Sequence, residues 1–474
     1  GVALLVLAQA VSRRIQLAYY LVFAALLAGI AASLLKAADW EEAVLLSLLL
    51  LAFAPSRSFF DRRAALFDTR FSPGWILAIV ASLGASVWLG VFVFRHVEYA
   101  HDLWWRVALN QDAPRFLRAS LGAAVALLGF GLWRLLRPLP HIAELPTNED
   151  LVDAERIIQA QSATLPFLAL LRDKALLFNS DRTAFIMYGV CGRTWVALGD
   201  TVGPSAAVPE LIRDFVESAD DYGGVPVFYQ VEPAQLHRYA DLGMAFAKLG
   251  EEARVPLEAF SLEGSRHKNL RSAMNHLTRE KVSFRVIEAA EVPAIMPQLK
   301  AVSDDWLASK SVSEKGFSLG FFDADYLSRL PVAVLEQEGS IIAFANLLCG
   351  PDGEELSIDL MRFARTAPNG TMDGLFTHLF LWGREFHYRW FNLGMALLSG
   401  LAHWPISPLW TRLGGFLYRH GETFYNFRGL RAYKDKFHPV WEVRYLAYPG
   451  GKSFPVMLTD IAALSAGSYL RIFR

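Results

Sequence analysis

The sequence predicts a helical membrane domain followed by a cytoplasmic α/β half, and three observations carry that prediction. Long uncharged runs lie almost entirely before residue 137. A proline-bearing link, "RPLPHIAELPTNED" (137 to 150), follows them. Beyond it, short apolar strands alternate with amphipathic helices. The 474-residue chain is 53% hydrophobic and only 20% charged, so its apolar weight is large and unevenly placed.

In the first part, the uncharged runs 15–35 and 71–94 each have the length to cross a hydrocarbon core of about 30 Å. The run 119–136 carries Arg134 near one end, where it can snorkel, and 43–54 is short enough to be a buried or re-entrant piece. The chain opens on "GVALLVLAQAV", already inside an apolar run and without a basic start, which reads as the middle of a larger membrane domain. Counting that opening run gives five crossings. Arg13 and Arg14, then Arg57, Arg62, Arg63 and Arg70, then Arg134 and Arg137 fall in every second loop, and so on one side. The positive-inside rule makes that side, and everything after 137, cytoplasmic. "EYAHDLWWRVAL", on the other side, reads as an interfacial helix. Two cysteines far apart, Cys191 and Cys349, exclude a disulfide framework and a cysteine zinc site.

In the second part, "ERIIQAQ" predicts a helix and "TAFIMYGVCGRTWVALGD" two strands joined at Cys191 and Gly192. "VPELIRDFVESADDYG" then predicts a helix and "VPVFYQV" a strand. The order recurs downstream. After a strand at "VSFRVIEA" and a helix at "VPAIMPQLKAVSDDWLASK", three strands follow: "PVAVLEQ", "SIIAFANLLC" and "ELSIDLMRF". A helix at "MDGLFTHLFLWGREFHY" and a strand at "WFNLGMAL" complete the unit. Meander, helix, strand is the core order of GNAT-type acyltransferases. The fold class is therefore an α-helical membrane domain followed by tandem GNAT-like domains. The expected divisions are 1–137 for membrane helices, 138–281 for the first GNAT-like domain and 282–474 for the second, catalytic one.

Three stretches are candidates for chemistry. In "SIDLMR", Asp359 interrupts an apolar strand, where a carboxylate is costly unless paired or used, and Arg362 follows. Strict alternation puts the two on opposite faces, so they share a site only if the strand bulges or ends there. The plainer reading is a structural ion pair. In "YNFRGLRAYKDKFHPVWE" (425 to 442), Tyr425, Phe427, Tyr433, Phe437 and Trp441 interleave with Arg428, Arg431, Lys434, Lys436 and His438. Such a run suits unpaired bases and phosphates, or equally a basic helix whose rings pack on a core. In "SRHKNLRSAMNHLTREK" (265 to 281), Arg266, Lys268, Arg271, Arg279 and Lys281 stand against one acid, Glu280. That is a cationic face for a nucleic-acid backbone or an ordinary amphipathic surface helix. No HExxH, no GxSxG and no pyrophosphate loop of the (Q/R)xxGx(G/A) type occurs. An acyltransferase-like fold without that loop needs an acyl carrier other than coenzyme A.

"FNLGMALLSGL", "LYRHGETFYNFRGLRAYKDKFHPVWEVRYLA", "LSIDLMR" and "EGSRHKNLRSAMNHLTRE" together resemble the catalytic domain of the multiple peptide resistance factor family, the phosphatidylglycerol aminoacyltransferases. The resemblance implies a bacterial inner-membrane, multi-pass enzyme with its catalytic domain in the cytoplasm. That enzyme moves an amino acid, lysine before alanine, from charged tRNA to the glycerol hydroxyl of phosphatidylglycerol. It implies resistance to cationic peptides, and a flippase set of helices that looks largely missing here. The implied partners are aminoacyl-tRNA, phosphatidylglycerol and the lipid bilayer, with a homodimer among the arrangements left open, and no metal or cofactor is implied. The family's functional Asp, Arg and Lys carry over to Asp359, Arg362 and Lys434. Arg428, Arg431, Lys436 and His438 are then expected at the substrate, and Arg266, Lys268, Arg271, Arg279 and Lys281 along the tRNA. Against this stand a membrane-anchored coenzyme A-dependent acetyltransferase and a non-catalytic lipid carrier or scaffold.

Overall fold

A computed structural model of the chain describes residues 7, 8, 11, 16–35, 40–60, 143–310, 314–401, 427–450 and 454–471. The apolar runs at 71–94 and 119–136, the interfacial segment, most of the Arg-rich loops and Tyr425 lie outside these residues. The chain divides into two units, one holding residues 1–141 and the other nearly all the rest.

In the first unit, α1 (Gln16–Leu35) has a mean hydropathy of 2.1 and is, among the described residues, the one helix long and apolar enough to cross a membrane. The shorter α2 (Trp40–Phe53) runs into a 3-10 turn at Ala54–Phe59. Tyr19 ties these together: its ring stacks on Phe53 at 5.2 Å and its hydroxyl donates to the Ala54 carbonyl at 2.9 Å.

The second unit begins with α3 (Asn148–Ile158), opened by a reciprocal Thr147–Asp150 capping box that satisfies otherwise orphaned N–H groups. Strands β1 (Ala175–Phe178), β2 (Phe185–Cys191) and β3 (Thr194–Leu198) form an antiparallel meander. Helix α4 (Val208–Asp221) crosses over to β4 (Val225–Val231), which pairs parallel to β3. The long β5 (Met244–Pro256) and α5 (Lys268–Arg279) follow.

Downstream come β6 (Val282–Ile287), α6 (Val292–Lys310), β7 (Val332–Gln337), β8 (Ser340–Asn346), β9 (Leu348–Cys349), β10 (Glu355–Ser357) and β11 (Met361–Phe363). Helix α7 (Thr371–Glu385) crosses to β12 (Trp390–Leu397), parallel to β10. The chain closes with α8 (Phe427–Asp435), β13 (Val440–Pro449) and α9 (Phe454–Ala466). Each half thus has the GNAT-like order of antiparallel strands, helix and parallel strand.

The halves share a nine-stranded sheet, β1-β2-β3-β4-β13-β5-β12-β10-β9. β13, nearly the last element, threads between β4 and β5, so the sheet runs unbroken across residues 281 and 282. A second, four-stranded sheet is β11-β8-β7-β6. The hairpin formed by β8–β9 and β10–β11 therefore changes sheets midway, between Asn346 and Leu348 on one side and Ser357 and Met361 on the other. The "ELSIDLMRF" strand of the sequence reading is two short strands with a bend at 358–360. Phe376, Phe380, Phe391 and Phe437 fill the core beside this bend, all nearly or fully buried. Each contributes about 1.5–3 kcal/mol of burial.

Candidate functional site

Asn346 stitches the bend. It is fully buried, and its Oδ1 accepts the Leu360 N–H at 2.8 Å while its own N–H donates to the Leu360 carbonyl at 3.2 Å. Its Nδ2 donates to Asp359 Oδ1, and the hydroxyl of the fully buried Tyr326 donates to Asp359 Oδ2 at 2.8 Å. Burial raises the Asp359 pKa above the ordinary carboxylate value, opposed by these two hydrogen bonds, the Leu360 N–H and the charge of Lys174. Gly320 packs so closely that a Cβ there would overlap the Asp359 carboxyl.

Lys174 is buried to its tip and pairs with Asp173, whose other oxygen accepts the Phe317 N–H at 2.7 Å. Burial pulls the Lys174 pKa down, and the charges of Asp173 and Asp359 oppose that pull. The bend also resolves the face problem of "SIDLMR". Because the strand breaks at 358–360, Arg362 comes within electrostatic reach of Asp359. The Arg362 guanidinium lies over the Trp306 ring at 4.1 Å and reaches Glu314 at 3.3 Å. Its buried Nε has no hydrogen-bond partner among the described residues. Asp173 and Glu314, with Phe317, Phe321, Leu464 and Arg471, line a cavity of about 320 Å³.

Lys434 reaches β12 from α8. The parallel pairing of β10 with β12 ends at Ser357 and Asn392. Had it continued, Asp359 would face Gly394. Instead, β10 bends away and β12 bulges between Asn392 and Met395, with Gly394 at a φ of +77° that favours glycine. Lys434, on α8, donates to the Gly394 and Met395 carbonyls at 2.9 and 3.0 Å. Burial lowers its pKa to about 8, opposed by the charge of Glu252. Asp359 and Lys434 thus stand at the two diverging ends of one parallel pair, with no direct bond between them.

The other expected residues divide. Arg431 pairs with Glu251 and lies over Trp441 at 4.1 Å, while Lys436 pairs with Asp373 at 3.3 Å. The His438 ring meets His267 at 5.4 Å, and burial, helped by Arg266 and His267, lowers its pKa. Arg428 is exposed. Two rings of this run serve the core: Phe437 is buried and packs with Tyr433 against Phe376 at 5.3 and 6.0 Å. On α5, Leu270 and Leu277 are buried while Lys268 and Arg279 are exposed, as are Arg266 and Lys281 just beyond its two ends. Arg271 differs, donating to the Leu262 carbonyl and to that of Gly264 at 2.5 Å. Sequence reasoning missed Lys174, Asn346, Tyr326 and Glu252. Only the charge pair in "RDKALLF", set against an apolar strand, offered a signal for any of them.

Fold and site together define a GNAT-like tandem protein with charged side chains where its second parallel strand pair parts. The chain belongs to the family described as "Phosphatidylglycerol lysyltransferase, C-terminal", whose model matches residues 155–448. It is 39% identical over 302 residues to the phosphatidylglycerol lysyltransferase of Bacillus subtilis (63% of this chain, 35% of that one). It is 31% identical over 404 residues to the phosphatidylglycerol lysyltransferase of Staphylococcus xylosus (85% and 47%). The chain therefore spans about a third to a half of the length of these relatives. Among solved structures it is similar to L-PGS from Bacillus licheniformis, at 38% identity and a TM-score of 0.60, covering 69% of this chain and 99% of that one. It is also similar to a C-terminal domain (DUF2156) assigned to a lysylphosphatidylglycerol synthetase of Agrobacterium fabrum, at 44% identity and a TM-score of 0.62, covering 67% and 97%.

Proposed function

We propose that the chain transfers a lysyl group from charged tRNA to a glycerol hydroxyl of phosphatidylglycerol at the cytoplasmic face of a bacterial inner membrane, anchored by several helices. The observation that carries this reading is the parting of β10 from β12, with Asp359 at one diverging end and Lys434 at the other, in a chain of this family. The glycerol oxygen attacks the ester carbonyl, the carbonyl carbon's bond to the tRNA ribose oxygen breaks, and the hydroxyl proton ends on that ribose oxygen. One ester replaces another, so positioning and electrostatics suffice.

Asp359, fixed by Tyr326 and Asn346, orients the attacking hydroxyl or pairs with the α-ammonium of the donor. The free Nε of Arg362 suits a phosphate oxygen, as the planar guanidinium fork does generally. Lys434 stabilises the developing oxyanion, a contribution of about 2.7–4 kcal/mol per donor. Arg428, Arg431, Lys436 and His438 border the substrate, and the exposed cations of α5 run along the tRNA backbone. The lowered negative charge of the modified lipid would resist cationic peptides.

The test uses the full chain in phosphatidylglycerol vesicles with tRNA charged separately with labelled lysine or alanine. Label in the lipid from lysyl-tRNA, abolished by RNase, is the expected result. Label from alanyl-tRNA alone would change the amino acid, and none from any charged tRNA would overturn the reading.

A further inference from the structure

We propose that Glu252, clamped by Arg444, is a positioning residue for Lys434, holding its ammonium charged at the bulge of β12. The inference rests on the oxyanion role given to Lys434 above. Three observations meet here. First, Glu252 on β5 stands in register opposite Met395 of β12, whose carbonyl accepts from Lys434, and opposite Glu442 of β13. Second, Arg444 on β13 donates to Glu252, backed by Glu232 at 3.3 Å and Glu442 at 3.9 Å. The Glu252 carboxylate therefore has its own cation. Third, Glu252, Arg444 and Lys434 are all buried, where an uncompensated charge is costly.

The other charges near Lys434 are committed elsewhere. On β5, Glu251 is held by Lys248 and Arg431, and Arg254 by Glu355 and Glu442. On α8 itself, Asp435 accepts from the Trp441 ring N–H. On β12, Asn392 accepts the Gly394 N–H. Glu252 is the anion whose charge raises the Lys434 pKa against the burial that lowers it. Two of the three ammonium hydrogens are spent on carbonyls, which orient the group, while Glu252 keeps it an ammonium.

The experiment measures lysyl transfer by the full chain in phosphatidylglycerol vesicles from pH 6 to 9, corrected for spontaneous loss of lysine from tRNA. The wild type is expected to lose activity above about pH 8. In Glu252→Gln that alkaline limb moves at least one unit lower, so the rate falls roughly threefold or more at pH 7.5 yet nears wild type at pH 6. Glu252→Asp, which keeps the charge, restores most of the limb and serves if the Gln variant folds poorly. A uniform loss at every pH would mark Glu252 as merely structural and overturn the assignment. In parallel, trace acetylation with acetic anhydride, read by mass spectrometry at Lys434, follows its titration without any transfer assay. A midpoint lowered in Glu252→Gln, with no lipid product from the wild type, would sink the transferase reading and leave this assignment standing. An unmoved midpoint would overturn the assignment whatever the activity.

Discussion

The two halves of the sheet each end their third meander strand on a half-buried carboxylate held by a fully buried tyrosine, yet the surroundings differ. In the first half Asp200 follows β3. Its carboxyl accepts the Tyr239 hydroxyl at 2.7 Å and the Glu232 N–H at 2.9 Å. Burial pushes its pKa up to about 6. There β3 and β4 stay together to the end, with the Gly199 N–H donating to the Tyr229 carbonyl at 2.7 Å. In the second half Asp359 has the same kind of tyrosine bond, but β10 leaves β12, Lys174 lies buried within reach, and Arg362 and Lys434 flank the gap. The comparison teaches that a half-buried acid at this point of the fold is a structural device. Parting the strands and bringing in cations turns the same device into a candidate reaction site.

The sharpest way to break the comparison is to neutralise each acid. Asp359→Asn is expected to reduce lysyl transfer to vesicle lipid at least a hundredfold while the chain stays folded, and Asp200→Asn to leave the rate within threefold. Lys434→Met should lose about 10²–10³-fold, the usual cost of one oxyanion donor. Equal losses from Asp200→Asn and Asp359→Asn, measured on the same vesicles, would erase the distinction between the halves.

A smaller effect concerns stability. Because the Asp200 pKa is raised in the folded state, the folded chain binds its proton more tightly than the unfolded chain does. Its contribution is full below the unfolded value near pH 4, and it is lost as pH rises through about 6. Denaturation of wild type and Asp200→Asn should therefore diverge across that window, the wild type losing about 1–3 kcal/mol more. Curves that stay parallel from pH 4 to 7 would mean Asp200 is not sealed as described.

What was legible from sequence follows the same physics. Asp359 stood out because a charge in an apolar strand is anomalous, and the meander, helix and strand order could be read from periodicity. β5 could not. Its "GEEARVP" stretch carries charges at the centre of the sheet, and these are tolerable only because Arg444, Arg431 and Glu355 arrive from distant segments. Bulges in its pairings with β12 and β13 further break the alternation a strand reading needs. Tyr326 and Asn346 hid for the opposite reason, as polar groups whose partners lie 33 and 13 residues away.

Removing each tyrosine hydroxyl sharpens the comparison further. Tyr239→Phe and Tyr326→Phe should each cost about 1 kcal/mol in denaturant unfolding, the ordinary net value of one buried hydrogen bond. Only Tyr326→Phe should also slow lysyl transfer, by roughly tenfold, since it frees the Asp359 carboxyl to turn. A rate loss in Tyr239→Phe as well would show that the first half's acid is coupled to the chemistry.

The smallest effect separates residues on and just beyond α5, where the contrast between structural and ligand-facing charge recurs. Arg271 spends its guanidinium on the carbonyls of Leu262 and Gly264 and so fastens the preceding loop. Arg279 and Lys281 are exposed and make no ion pair with an acid among the described residues. The Arg279→Ala and Lys281→Ala double variant should therefore raise the KM for lysyl-tRNA about two- to fivefold at low salt, and less as salt is added. Phosphate contacts lose their advantage as counterion release weakens. Its melting temperature should hold. Arg271→Ala should do the reverse, lowering the melting temperature with a KM whose salt dependence is that of wild type. A KM for the double variant that is unchanged at every salt concentration would remove α5 from the tRNA path and return it to being the amphipathic cover its buried Leu270 and Leu277 already make it.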